Sequence, residues 1–181
     1  MKVGRIMTNP LKSTMRSEAV FSKDNKHRLL LKKVWNAKQP KATVITKFPN
    51  YNGVVKVDLT SQLIVNHLSD THGGVYLMNL FTNIEINKNM EEVEDLITEE
   101  SDQYLLQAIE DSEDVIIAWG STSSKIFSER IKTVNQMLEA QPDKVRVLLN
   151  PETKQISHPL NPKSRSFWMV EKLDVRKGSQ E

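Results

Sequence analysis

Four short stretches of the chain carry side chains that can do chemistry. They are Asp58, Asn79, the run Trp119-Gly120-Ser121-Thr122-Ser123-Ser124-Lys125, and His158-Pro159. Asp58 precedes Leu59, Leu63, Ile64 and Leu68, which stand at helical spacing. A carboxylate there can orient or deprotonate a water, or it can cap the helix by accepting the amides near Thr60 and Ser61. Asn79 closes an apolar run. Its amide offers a donor and an acceptor together, which suits a nucleobase edge, a bound water, or merely a turn that satisfies its own backbone. A glycine straight after an apolar run, as at Gly120, lets backbone approach a ligand closely. The hydroxyls and free amides behind it, from Ser121 onward, make either an anion site or an ordinary serine-rich helix cap. Lys125 adds charge, and Trp119 can stack on a base or close a core strand. Pro159 restricts the backbone of His158, which can fix an imidazole to donate to a developing negative charge.

Several chemistries are excluded by what the chain lacks. The serine-rich run has neither the second glycine nor the Lys-Ser/Thr order of a phosphate-binding P-loop. No Gly-x-Ser-x-Gly elbow is present. There is no cysteine, so disulfides, thiolate metal sites and cysteine nucleophiles are out. His27, His67 and His72 stand at no ligand spacing, so neither a metal site nor a cofactor is expected.

These residues need elements to position them. Apolar and β-branched runs predict strands at 18–21, 42–46, 75–78, 115–119 and 144–149, with an edge strand near 166–170. Helical spacing predicts helices at 29–35, at 59–68, once or twice over 91–112, and from the cap at 121–124 to Leu138. Such alternation points to an α/β fold: a three-layer sandwich with a mainly parallel sheet of at least four strands and helices on both faces. One domain is expected over 1–181, with a lead-in at 1–16 and a frayed tail at 174–181. Ligands bind outside the carboxyl ends of parallel strands. The loops that leave those ends are 48–58 (with Asn50 and Tyr51), 79–82, 119–122 and the stretch around His158. The expectation is that they share one rim.

At these residues the chain resembles an uncharacterised bacterial family, domain of unknown function sixteen forty-three, from about Arg16 to Trp168. The carriers are His27-Arg28-Leu29-Leu30-Leu31 with Trp35, Asp58-x-Thr60, Asn79-Leu80-Phe81, Trp119-Gly120 and His158-Pro159-Leu160. No activity comes with that resemblance. Members usually carry Asn-Pro-Ser after the first strand; here Phe48 and Asn50 flank Pro49 instead. More distantly, the Trp-Gly turn and His158-Pro159-Leu160-Asn161-Pro162-Lys163-Ser164-Arg165 are similar to the uracil-DNA glycosylase superfamily. That resemblance implies His158 as the group stabilising charge on a departing base, Asn79 as a base reader, and Lys163 and Arg165 as phosphate contacts. The superfamily's first catalytic motif is not evident in this chain.

Charge is uneven although the net is only +2. Residues 1–41 hold 11 Lys/Arg and 2 Asp/Glu, whereas residues 85–114 hold 1 Lys and 12 Asp/Glu. The basic segment fits nucleic acid or another acidic partner, the acidic one a protein partner; both also fit solvated faces. No apolar run reaches the roughly 20 residues of a membrane span and no signal core follows the N-terminus, so a cytoplasmic location is expected. Two functions of different class follow. One is binding of a nucleobase, nucleotide or nucleic acid at the rim, with hydrolysis of glycosylase type. The other is a non-enzymatic module that binds nucleic acid or protein.

Overall fold

The structure is a computed structural model that describes residues 9, 11–50, 54–86, 93 and 95–174. The expected tail beyond residue 174, most of the lead-in, and part of the acidic segment lie outside the described residues. Among the described residues, no helix is long and apolar enough to cross a membrane.

Among the described residues seven strands form one sheet in the order β1-β2-β4-β3-β5-β6-β7. They are β1 (Arg16–Phe21), β2 (Arg28–Val34), β3 (Lys41–Thr46), β4 (Gly74–Asn79), β5 (Asp114–Ile117), β6 (Val145–Leu149) and β7 (Met169–Lys172). The helices are α1 (Leu59–Leu68), α2 (Glu99–Glu110), α3 (Lys125–Leu138) and the short α4 (Pro162–Ser166).

The expected sandwich on a mainly parallel sheet is corrected by the pairing. β3 pairs in parallel with β4 and β5, and β5 with β6. β1·β2, β2·β4 and β6·β7 are antiparallel. The sheet is therefore mixed, antiparallel through most of its first part, with few helices. The cause lies in residues 28–34, read from sequence as a helix. They form β2, an inner strand flanked by β1 and β4. Leu30 packs into one hydrophobic cluster and Leu31 into another, so both sides of the strand are buried. Such a run has no period-two signature, and with leucines and lysines and no β-branched residue before Val34 it fits a helix as well as a strand. The β1–β2 hairpin turns at Ser22 to Lys26, where Asp24 accepts from the Ser22 hydroxyl at 2.6 Å and Asn25 takes φ 60°.

The parallel strands alternate cleanly between the two clusters. Ile45, Tyr76, Met78, Val115, Ile117, Val145 and Val147 meet Leu105, Ala108 and Ile109 of α2 and Val134 and Leu138 of α3. Val44, Val75, Leu77, Ile116 and Leu148 meet Ile64 and Leu68 of α1. From β3 the chain crosses to β4 on one side, then returns past β3 to β5 on the other. The direction of winding reverses between β3 and β5, which opens a crevice beyond their carboxyl ends.

Candidate functional site

A cavity of about 450 Å³ occupies that crevice. Thr46, Lys47 and Phe48 line it from the end of β3, and Trp119, Gly120 and Ser121 from the end of β5. Asn150, Ser157 and His158 follow β6, while Asp58, Thr60 and Ser61 come from the start of α1. Arg28, at the start of β2, completes the wall together with Asn50.

His158 is held by two local features. Its Nδ1 accepts the Leu160 backbone N–H at 3.1 Å, across Pro159, which has no N–H of its own. An accepting Nδ1 places the proton of the neutral ring on Nε2. Gly120 supplies the second feature: at φ 71° its backbone lies against His158, and a Cβ there would sit 3.3 Å from His158 Cβ. Burial and then the positive charge of Lys47 push the His158 pKa below the ordinary histidine value, against the pull of Asp58. The neutral Nε2–H form is thus favoured, a donor rather than a cation.

This depression has a pH consequence. The unfolded chain takes a proton on this ring more readily than the folded one, so His158 contributes stability that is full above the unfolded pKa of about 6.5. That contribution is lost as pH falls through the depressed folded value. Urea midpoints measured at pH 7 and pH 5 should therefore drop more in the wild type than in His158→Asn, whose amide still accepts from Leu160. Equal drops would mean that His158 does not carry the effect.

Asp58 is the N-cap of α1. It accepts the Ser61 N–H at 2.9 Å and the Ser61 hydroxyl at 2.8 Å. Asp58 thus both caps the helix and lines the cavity, where its charge favours the charged forms of Arg28 and His158. Lys47 donates to the Ser121 carbonyl and lies 5.4 Å from the Phe127 ring centroid. Its desolvation lowers its pKa. Phe48 stacks on Phe81 at 6.0 Å and meets Phe127 at 5.8 Å, an aromatic wall beside the rim.

Other residues singled out from sequence sit elsewhere. Asn79 lies beneath the cavity with both ends of its amide engaged: Nδ2 donates to Thr46 Oγ1 at 2.7 Å, and Oδ1 accepts from Arg28 Nη2 at 2.9 Å. Lys125 is exposed and pairs with Glu129 at 3.8 Å, one turn along α3. Lys163 pairs with Glu152 at 2.6 Å, and Arg165 donates to the Leu160 carbonyl at 2.8 Å. None of these three lines the cavity. Tyr51 lies outside the described residues. His27 bonds Thr82 Oγ1 at 3.0 Å, His67 stacks on Trp168 at 4.7 Å, and His72 lies 3.4 Å from Asp114. Among the described residues, no group of three or more such side chains is placed to hold a metal ion.

Sequence reading passed over Arg28 and Lys47. The signal for Arg28 is a charged residue heading a wholly apolar run, Arg28-Leu29-Leu30-Leu31. It becomes meaningful only once that run is a strand.

No curated protein and no solved structure matches the chain. The model of one family does, "Protein of unknown function (DUF1643)", across residues 28–160. That span opens at Arg28 and closes at Leu160, and so takes in β2 to β6 and every cavity-lining residue named above except those beyond Leu160. The chain belongs to the DUF1643 family.

Proposed function

We propose that the rim cavity binds a nucleobase-bearing ligand, with chemistry of N-glycosidase type as the reaction the site can support. The observation that carries this reading is the setting of His158: a half-buried imidazole whose Nδ1 accepts from Leu160, leaving Nε2–H as the donor of its neutral form. A donor of that kind stabilises the negative charge that develops on a base oxygen as its bond to the sugar breaks, without first having to lose its own proton. Asp58, across the same cavity, is placed to orient the attacking water. Phe48, half-buried at the cavity, offers apolar surface against which a base can lie. The more distant likeness to the uracil-DNA glycosylase superfamily supports the same role for His158.

A small ligand is favoured over a long nucleic acid. The three cationic side chains expected to follow a phosphate backbone, Lys125, Lys163 and Arg165, lie outside the cavity lining. If nucleic acid is the ligand, its binding must weaken steeply with salt. In this reading Asn79 holds Arg28 in place and does not touch the base.

The test is a thermal-shift screen of free bases, nucleosides, nucleotides and short single-stranded DNA, since a ligand of the folded state raises its stability. Chromatography of each hit then looks for released base. His158→Asn should abolish release, by at least about a hundredfold, while leaving the melting temperature within a few degrees. Release that survives the substitution removes His158 from the chemistry. Binding with no release in the wild type leaves a non-enzymatic binding module.

A further inference from the structure

Among the described residues two arginines are buried, Arg28 and Arg130, and they are treated differently. Arg130, 6% exposed, is satisfied in the way a structural guanidinium is: Nε donates to the Leu80 carbonyl at 2.7 Å, and Nη2 pairs with Asp102 at 2.5 Å. Arg28 is 5% exposed. Nη1 donates to the Asn50 carbonyl at 3.0 Å and Nη2 to Asn79 Oδ1 at 2.9 Å, so neither acceptor is a carboxylate. Its Nε is buried with no partner at all.

Burial lowers the Arg28 pKa to about 10, which still leaves the group charged at neutral pH. Asp58 offsets that charge only through space. A buried cation without a bonded anion is costly, and proteins retain such groups where something else completes them. Of the five N–H donors of a guanidinium, two are used here. The two acceptors fix the plane of the fork, and Asn79 is itself locked by Thr46. Arg28 is therefore preorganised in the wall of the cavity, with donors to spare.

With Lys47 the cavity lining carries, among the described residues, two cations against one carboxylate, Asp58. Lys47 contributes a second, partly desolvated ammonium, and the neutral ring of His158 adds a donor without charge. Asp58 is the one opposing group in the lining among the described residues. A guanidinium fork matches two oxygens of a phosphate or carboxylate at once. A cavity of about 450 Å³ is large enough for such a group plus a ring system.

We propose that Arg28 is the phosphate-reading residue of this cavity and that the ligand is a small phosphate monoester. Taken with the reading above, on which the base half of this statement rests, that ligand is a nucleoside 5′-monophosphate and not a free base or nucleoside. Arg28 anchors the phosphate, and the sugar and base extend toward Phe48 and His158.

Calorimetric titration of the full chain with four probes tests this: a set of nucleoside 5′-monophosphates, the matching nucleosides, ribose 5-phosphate and inorganic phosphate. At least one monophosphate should bind the wild type about tenfold or more tighter than its nucleoside. Arg28→Gln should shrink that preference to about threefold or less while nucleoside affinity stays. A monophosphate preference that survives in folded Arg28→Gln overturns the role of Arg28. If the variant does not fold, the wild-type preference is read as a function of pH. It should grow between pH 5.5 and 7.5 as the phosphate gains its second charge, and a flat profile overturns the proposal. Nucleosides binding as tightly as monophosphates overturn the phosphate site and leave base binding standing. Ribose 5-phosphate binding as well as any nucleotide keeps the phosphate site and removes the base. Binding of no probe ends both.

Discussion

Gly73→Ala should lower the unfolding free energy by roughly 3–5 kcal/mol, since the added methyl meets backbone more closely than at Gly74 or Gly120. Gly73 sits between α1 and β4. Its carbonyl accepts the backbone N–H of both Trp35 and Asn36 at 2.9 Å, and its own N–H donates to the Pro40 carbonyl at 2.7 Å. These bonds tie the end of β2 to the approaches of β3 and β4. A Cβ at Gly73 would overlap the Asn36 carbonyl oxygen and press on Gln39 Cβ. The first obstacle is backbone, so no rotamer change relieves it. The three strands must separate or the bonds to Gly73 must break. For a chain of this size, each kcal/mol moves the melting temperature by roughly 2–4 °C, so a fall of about 10 °C is expected. Urea unfolding of the variant beside the wild type measures it. A loss below about 1 kcal/mol would mean that the turn has slack the structure does not show.

Gly120→Ala should cost less stability and more function. The strain of φ 71° in a residue with a side chain is about 1–2 kcal/mol. The new Cβ, 3.3 Å from His158 Cβ, displaces the imidazole by a few tenths of an ångström. Misplacement on that scale can weaken a positioned group by tenfold to a hundredfold. The Leu160 amide resonance reports it directly, because that N–H is bound to His158 Nδ1. Gly120→Asn separates the two causes. Asparagine tolerates a left-handed backbone but still carries the Cβ. If displacement of His158 is what matters, Gly120→Asn should regain melting temperature but neither affinity nor the native Leu160 resonance. Recovery of all three would place the effect in the backbone alone.

The elements legible in sequence were those whose local residues favour one conformation: a capped amphipathic helix, or a run rich in β-branched residues. Asp58 as N-cap and Leu59 to Leu68 as helix coincide with α1, because a helix half in water keeps its period. Four β-branched or apolar runs coincide with β3, β4, β5 and β6, the inner parallel strands. Three of the four loops meet at the cavity: His158 lies against Gly120, and both line it with Asp58, Asn50, Trp119 and Ser121, whereas no residue of 79–82 lines it. Illegible were β2, whose leucines and lysines suit a helix as well as a strand, and the fate of long charged side chains. Lys125, Lys163 and Arg165 have the right type and nearly the right position, yet local acids and a carbonyl take them. A side chain with four rotatable bonds is aimed by its neighbours in space, not by its place in the chain.

Composition and pattern by themselves determined that this protein has no thiol chemistry, that apolar strands alternate with amphipathic helices through its middle, and that its polar loops follow those strands. Tertiary structure decided the direction of β2, and with it the character of the site. A parallel β2 would have sent its first residue to the far rim. Because β2 pairs antiparallel with β4, Arg28 arrives beside the end of β4, where Asn79 receives it. Strand direction depends on which edge is free when the hairpin docks, a long-range outcome that no local run of residues encodes. One arginine is thereby moved from a surface it would otherwise share with solvent into the wall of the cavity.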